Sequence, residues 1–299
     1  MGKLAIMSDL HVDINRLAEP EFALLVEVLR ERQITRVHFA GDTANKITTT
    51  LAVNHYFVQA GFPVTFNLGN HEMADLSGEE AIEHFPDHDF LNLRTKRLNE
   101  QTVLLGLNGW YDYQFSELSD PQKISAMKNL YWYDRNIKRA ADDLTTNQHM
   151  LTAVKIVLDD LARKKQQVVI ATHFVPQAAF IVTLTGKYQV WNKLNAFLGS
   201  RSLGELFDQY DNLQQVVFGH THRRFPDQVI HGTRYSCRPF GYFYEWRLTR
   251  DFVLANQLVT EYNPMKLRPV IRQHQPAFDQ YRNAHLKIEF AQAMTIVDY

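Results

Sequence analysis

Seven residues of metal-binding type stand at the ends of apolar runs: Asp9, His11, Asp42, Asn70, His173, His220 and His222. They offer two carboxylates, one amide oxygen and four imidazoles. That is more than one tetrahedral zinc needs. It suits two five- or six-coordinate ions if one carboxylate bridges them. Nitrogen and oxygen donors without thiolate point to manganese, iron or zinc rather than copper(I) or an iron–sulfur cluster. Two divalent cations outweigh two carboxylates, so such a site favours an anionic substrate and a bound hydroxide. Ions ~3.5–4 Å apart can clamp both the attacking and the leaving oxygen of an in-line displacement at phosphorus.

The spacings have physical reasons. His220 and His222 in VVFGHTHRRF lie at i and i+2, and so do Asp9 and His11 in SDLH. Residues so spaced share a face of an extended segment. Taken alone, one such pair is more often two ordinary histidines than a metal site, and the other runs decide. Gly41 lets the backbone approach closely before Asp42, and Gly69 permits a tight turn before Asn70. His71 is then free to act on a substrate, and Glu72 to orient a neighbour from behind. Asp13 is either a hydrogen-bond partner of His11 or a solvent-exposed carboxylate.

The elements that must carry these residues are short and apolar. KLAIMSDLH, TRVHFAGD, FPVTFNLGNHE, QQVVIATH and QQVVFGHTH each read as a buried strand running into the ligand-type residues. EPEFALLVEVLRERQ and LTAVKIVLDDLARKKQ between them read as amphipathic helices. Strand–helix alternation predicts parallel or mixed sheets covered by helices, with ligands outside the carboxyl ends of the strands. A sixth run, QTVLLGLNGWYDY, ends in Asn108, Trp110 and Tyr111. These line a substrate pocket or form an aromatic cluster at a strand end.

Residues 114–166 read as a helical elaboration, with Ser119 or Asp120 before Pro121 as a helix start. Within it, YWYDRNIKRA sets three aromatics before Arg135, Lys138 and Arg139, either phosphate contacts or a solvated helix face. After His222 the chain turns to β character. The expected division is a catalytic domain over 1–249 and a C-terminal extension over 250–299. That extension adds a helix and an edge strand, or packs on a partner.

Composition narrows the class. The 299 residues are 45% apolar, enough for a real core. Net charge is −1, which supplies no global basic field for nucleic acid. The single cysteine, Cys237, permits no internal disulfide and fits a reducing compartment. The N-terminus MGKLAIMSDLHVD is too short in apolar residues for a signal peptide. No run approaches the ~20 apolar residues of a membrane span. The expectation is a cytoplasmic protein with no membrane partner, and the oligomeric state is open.

The ordered blocks D-x-H, G-D, G-N-H-E, H and G-H-x-H, over residues 9–222, resemble the calcineurin-like metallophosphoesterases. The resemblance implies a four-layer α/β/β/α sandwich of two mixed sheets, with the dimetal site on strand-end loops. It implies that Asp9, His11 and His222 hold one metal with Asp42, and that Asn70, His173 and His220 hold the other, Asp42 bridging. It implies that His71 contacts the scissile phosphate and helps the leaving group. The second block reads GDTANKI, without the arginine of the protein-phosphatase branch (G-D-x-V-D-R-G), so the pattern is closer to the phosphodiesterase branch. CRPFGYFYE resembles the arginine–glycine turn that follows the last block there, with Cys237 where asparagine is usual. Asn45 stands where the family often has Asp or Asn.

The expected activity is hydrolysis of phosphodiester or phosphomonoester bonds by attack of a metal-bound hydroxide on phosphorus. The cofactors would be two manganese, iron or zinc ions, and the substrate a phosphorylated small molecule or a nucleotide-like compound. The weighed alternatives are a phosphomonoesterase or phosphoprotein phosphatase, a non-catalytic scaffold on the same fold, and a manganese-dependent nuclease using Arg223, Arg224 and Arg234. Trp110, Tyr111 and Arg223 are candidates for substrate contact, as are the faces of Trp132 and Tyr133.

Overall fold

The computed structural model describes residues 2–299. The first sheet is built from β1 (Lys3–Met7), β2 (Arg36–Ala40) and β3 (Val64–Asn67), which are parallel. Helices α1 (Glu19–Glu31) and α2 (Ile47–Gln59) make the crossovers, and α3 (Asn70–Asp75) and α4 (Glu79–Glu83) follow β3. The second sheet begins with β4 (Arg94–Arg97) and β5 (Thr102–Leu107). Then come α5 (Pro121–Tyr131), a 3-10 turn at Tyr133–Asn136, and α6 (Asp143–Arg163). The chain continues through β6 (Gln167–Thr172), α7 (Arg201–Phe207), β7 (Leu213–Phe218), β8 (Gln228–Ile230) and β9 (Thr233–Cys237). It ends in α8 (Arg247–Ala255), α9 (Leu267–Gln273), α10 (Gln275–Gln292) and β10 (Thr295–Asp298).

Strand order is β10-β1-β2-β3 in the first sheet and β4-β5-β6-β7-β9-β8 in the second. β10 joins β1 antiparallel, and β4 and β8 are antiparallel edges of the second sheet, so both sheets are mixed. The period-two alternation of a strand explains the layering. Along β1, Leu4 and Ile6 face an inter-sheet core shared with Leu104, Val169, Ala171 and Val217. Ala5 and Met7 face the helices on the other side. Along β6, Val169 and Ala171 face inward, and Val168 and Ile170 meet α6 and α7. The result is the α/β/β/α sandwich.

All six apolar runs form strands. β4 gave no such signal, because its sequence RTKR is mostly exposed edge. In the helical region Asp120 caps α5, its side chain accepting from the amides of Gln122 and Lys123, with Pro121 in the first turn. The C-terminal helix α10 lies on α1 through Arg282–Glu21 and Lys287–Glu31 ion pairs.

Among the described residues, no helix is long and apolar enough to cross a membrane.

Candidate metal centre

The carboxyl ends of β1, β2, β3, β6 and β7 meet at one rim, and the loops leaving them are bent sharply. Twelve described non-glycine residues have positive φ, and five of these are Asp9, His11, Asp42, His220 and His222. Left-handed backbone costs energy for residues with a Cβ and collects where function holds it in place. Here the loops brace one another. Asp9 N–H donates to the Gly41 carbonyl, His11 N–H to the Asp42 carbonyl, and His220 N–H to the Asp9 carboxylate. The glycines are demanded by space: a Cβ on Gly69 would lie 2.1 Å from Asp42 Oδ1, and one on Gly219 2.1 Å from Asp9 Oδ2.

All seven expected residues converge. Ligand atoms of Asp9, His11, Asp42 and His222 lie within 4.8 Å of one another, and so do those of Asp42, His173 and His220. Asp42 belongs to both groups. Asn70 Oδ1 sits 3.2 Å from His173 Nε2, which places the amide with the second group.

The chemistry of the donors fits metal ions. Outer ring nitrogens of three of the four histidines are held by acceptors: His173 Nδ1 donates to the Ala40 carbonyl, His220 Nε2 to the Phe197 carbonyl and His222 Nδ1 to Glu245, whereas His11 Nδ1 is buried without a partner. Such bonds leave the inner nitrogens as lone pairs, the usual arrangement of ligating histidines. Those inner nitrogens face each other closely, His11 Nε2 to His222 Nε2 at 3.0 Å and His173 Nε2 to His220 Nδ1 at 3.1 Å. Lone pairs so apposed call for a cation between them. Burial would lower His173 and His222, but Asp42 lifts His173 to about 9, and Glu245 and Asp9 lift His222 to about 10. Burial, reinforced by His173, holds His220 down to about 3. Burial would raise Asp9, but the hydrogen bond from His222 and the charges of His173 and His222 together bring it down to about 2.

His71 stands beside the groups. Its Nε2 is 3.9 Å from Asp42 Oδ2, and its Nδ1 is 2.5 Å from Asn45 Oδ1. Burial lowers its pKa, with Asp42 opposing. The Tyr133 ring stacks on the imidazole at 4.1 Å and 11°, and the Tyr242 hydroxyl lies 3.3 Å from Nε2. Glu72 is fully buried behind the site. It accepts from the amides of Asp42, Thr43, Ala44 and Gly69 and from the Thr50 hydroxyl. It thereby clamps the loop after β2 to the start of α3.

Other candidates lie elsewhere. Trp110 and Tyr111 are 1% and 0% exposed, so they do not line the rim. They stack on each other beside Phe174, under the Arg139 guanidinium. Trp132, by contrast, borders the centre: it packs on Phe197 and lies edge-on to the His220 ring, with centroids 6.3 Å apart. Arg139 is neither a phosphate contact nor solvated: its side chain is buried and paired with Glu83 and Glu79. Arg224 is taken by Glu289 and the Pro239 carbonyl. Arg223 is exposed on the loop after His222. Among the described residues Asp13 makes no hydrogen bond to His11. It accepts from the amides of Ile14 and Asn45. Tyr242, Glu245 and Asp134 were not anticipated. Glu245 stands inside the quoted CRPFGYFYE, where a carboxylate eight residues after Cys237 was the available signal.

The model of the calcineurin-like phosphoesterase family matches residues 2–224. Among solved structures, the phosphopantetheinyl hydrolase of Mycobacterium tuberculosis superposes with a TM-score of 0.63 at 16% identity, over 82% of this chain and 92% of that one. A dimetal phosphatase from Danio rerio aligns over 80% of this chain and 87% of that one, at 14% identity and a TM-score of 0.47. No protein of curated function matches in sequence.

Proposed function

Because the chain belongs to the calcineurin-like phosphoesterase family and is a metal-dependent phosphoesterase, we propose that it is a dimetal enzyme that cleaves phosphodiesters at least as well as monoesters. The observation that carries the dimetal reading is the sharing of Asp42 between two ligand groups. Asp9, His11, His222 and Asp42 would hold one ion, and Asn70, His173, His220 and Asp42 the other. When bound, the ions would polarise a phosphoryl oxygen and make water nucleophilic at neutral pH.

The protein's own part is positioning and proton transfer. Asn45 keeps the Nδ1 proton of His71 and so aims Nε2 at the side of Asp42 and Tyr242. A proton carried on Nε2 is placed to pass to the leaving oxygen. Among the described residues the side chains in contact with His71 are His11, Asp42, Asn45, Tyr133 and Tyr242, none of them a guanidinium. A dianionic monoester gains no added cationic holder there, and a monoanionic diester needs none. Tyr133, 38% exposed, offers a flat face for an aromatic leaving group or nucleobase.

The test loads the protein in turn with manganese, iron and zinc. It then compares aryl monoesters with bis-aryl diesters and with 2′,3′- and 3′,5′-cyclic nucleotides. Diester cleavage at or above the monoester rate is expected. Turnover of monoesters alone, under every metal, would leave the dimetal site and remove the diesterase assignment.

A further inference from the structure

The 3-10 turn between α5 and α6 carries a carboxyl group that no step above uses. Asp134 is 1% exposed, and its Oδ1 accepts a 2.7 Å hydrogen bond from Asn70 Nδ2. That is the only side-chain hydrogen bond Asp134 makes among the described residues, and Oδ2 has no partner. Burying a carboxyl group for one hydrogen bond is costly. Local packing does not call for it, whereas Asn70 does. The two ends of an amide are almost the same size, and only hydrogen-bond partners decide which way it points. A metal ion accepts the oxygen end and is repelled by the NH2 end. Asn70 Oδ1 faces His173 in the second ligand group while Nδ2 faces Asp134.

We propose that Asp134 is a positioning residue of the dimetal site, fixing the Asn70 amide so that its oxygen and never its nitrogen faces the second metal position. The assignment rests on the reading of Asn70 as a ligand. It gives the helical elaboration a role in metal binding, although it supplies no ligand itself. The neighbouring Tyr133 sits on His71, so one turn touches both residues that follow Gly69.

The experiment titrates Mn2+ into chelator-stripped full-length protein by calorimetry, with elemental analysis of the loaded form. Asp134→Ala should keep its secondary structure and one tight ion, and bind the second about 10–100-fold more weakly. The double variant Asn70→Asp/Asp134→Asn reverses the donor and acceptor and keeps one carboxylate and one amide. It should recover the second ion. Asp134→Ala that takes up both ions with wild-type affinity would overturn the assignment and leave the dimetal reading standing. If Asp134→Ala does not fold, Asp134→Leu, similar in size and unable to accept a hydrogen bond, decides: a weakened second ion supports the assignment, and wild-type affinity for both ions overturns it. A wild-type chain that binds fewer than two Mn2+ would instead bring down the dimetal reading itself, and this assignment with it.

Discussion

His71 donates from Nδ1 to the Asn45 side-chain oxygen at 2.5 Å, which fixes the ring's tautomer when neutral and its plane in either state. Stacking of Tyr133 on one face adds to that restraint. The ring is thereby held with its Nε2 3.9 Å from Asp42 Oδ2, and it belongs to neither ligand group, the arrangement on which its proposed role as a proton carrier rests.

His71→Ala should keep two ions and lose about 10²–10⁴-fold in turnover on substrates with poor leaving groups. The loss should shrink for nitrophenyl esters, whose leaving oxygen needs no proton. Equal losses across a leaving-group series would assign His71 to charge or positioning alone.

Asn45→Asp places a carboxylate against the Nδ1 proton and favours the imidazolium form. Burial pulls His71 the other way in the present chain. A general acid is active while protonated, so the alkaline limb of the kcat profile should move to higher pH. An unchanged limb would mean that His71 is not the group titrating there.

Asp42→Ala should cost more metal than loss of any other ligand, because both groups use this carboxylate. Elemental analysis should fall from two ions per chain to one or none. Two ions with normal activity would show that Asp42 does not bridge.

Glu72→Gln should destabilise the fold by about 3 kcal/mol or more, because an NH2 group would face amide and hydroxyl donors that now share a carboxylate. Urea unfolding with and without chelator separates this from metal loss. A midpoint shift seen only with metal present would place the role of Glu72 in ligand geometry instead.

His38 gives the acid side of stability a specific contributor. It is fully buried, with Nε2 donating to Asn67 Oδ1 and Nδ1 accepting from the Thr65 hydroxyl. Burial holds it at about 4, against 6.5 when unfolded. Between those values the unfolded chain binds more protons, so stability falls as pH drops from 6.5 toward 4 and is fully present above 6.5. The gap amounts to about 3 kcal/mol. In His38→Gln, stability measured in chelator should depend less steeply on pH across that window. The same slope in both proteins would exclude His38.

The seven converging residues were legible because each ends a strand whose apolar run is visible, and carboxyl ends of parallel strands meet at one edge. Trp110 and Tyr111 follow a strand in the same way but turn inward, because Phe174 and Arg139 close over them. Nothing in NGWYDY distinguishes those two directions. Tyr242, Glu245 and Asp134 were missed for a different reason. Their chemistry depends on partners 171, 23 and 64 residues away, and no local spacing encodes such contacts. β4 was missed because strand pairing, not apolar burial, defines it.

The antiparallel pairing of β1 with β10 bears on biosynthesis. Lys3 and Asp298 are partners, so the strand that carries the Asp9 loop leaves the ribosome with one edge open and stays so until β10 has emerged. An unpaired, apolar edge in a nascent chain is a point of attachment for other chains, and sheet contacts of such separation close slowly. Asp9 and His11 follow β1 directly, so the first half of the metal centre is anchored on a sheet edge that closes only when β10 arrives.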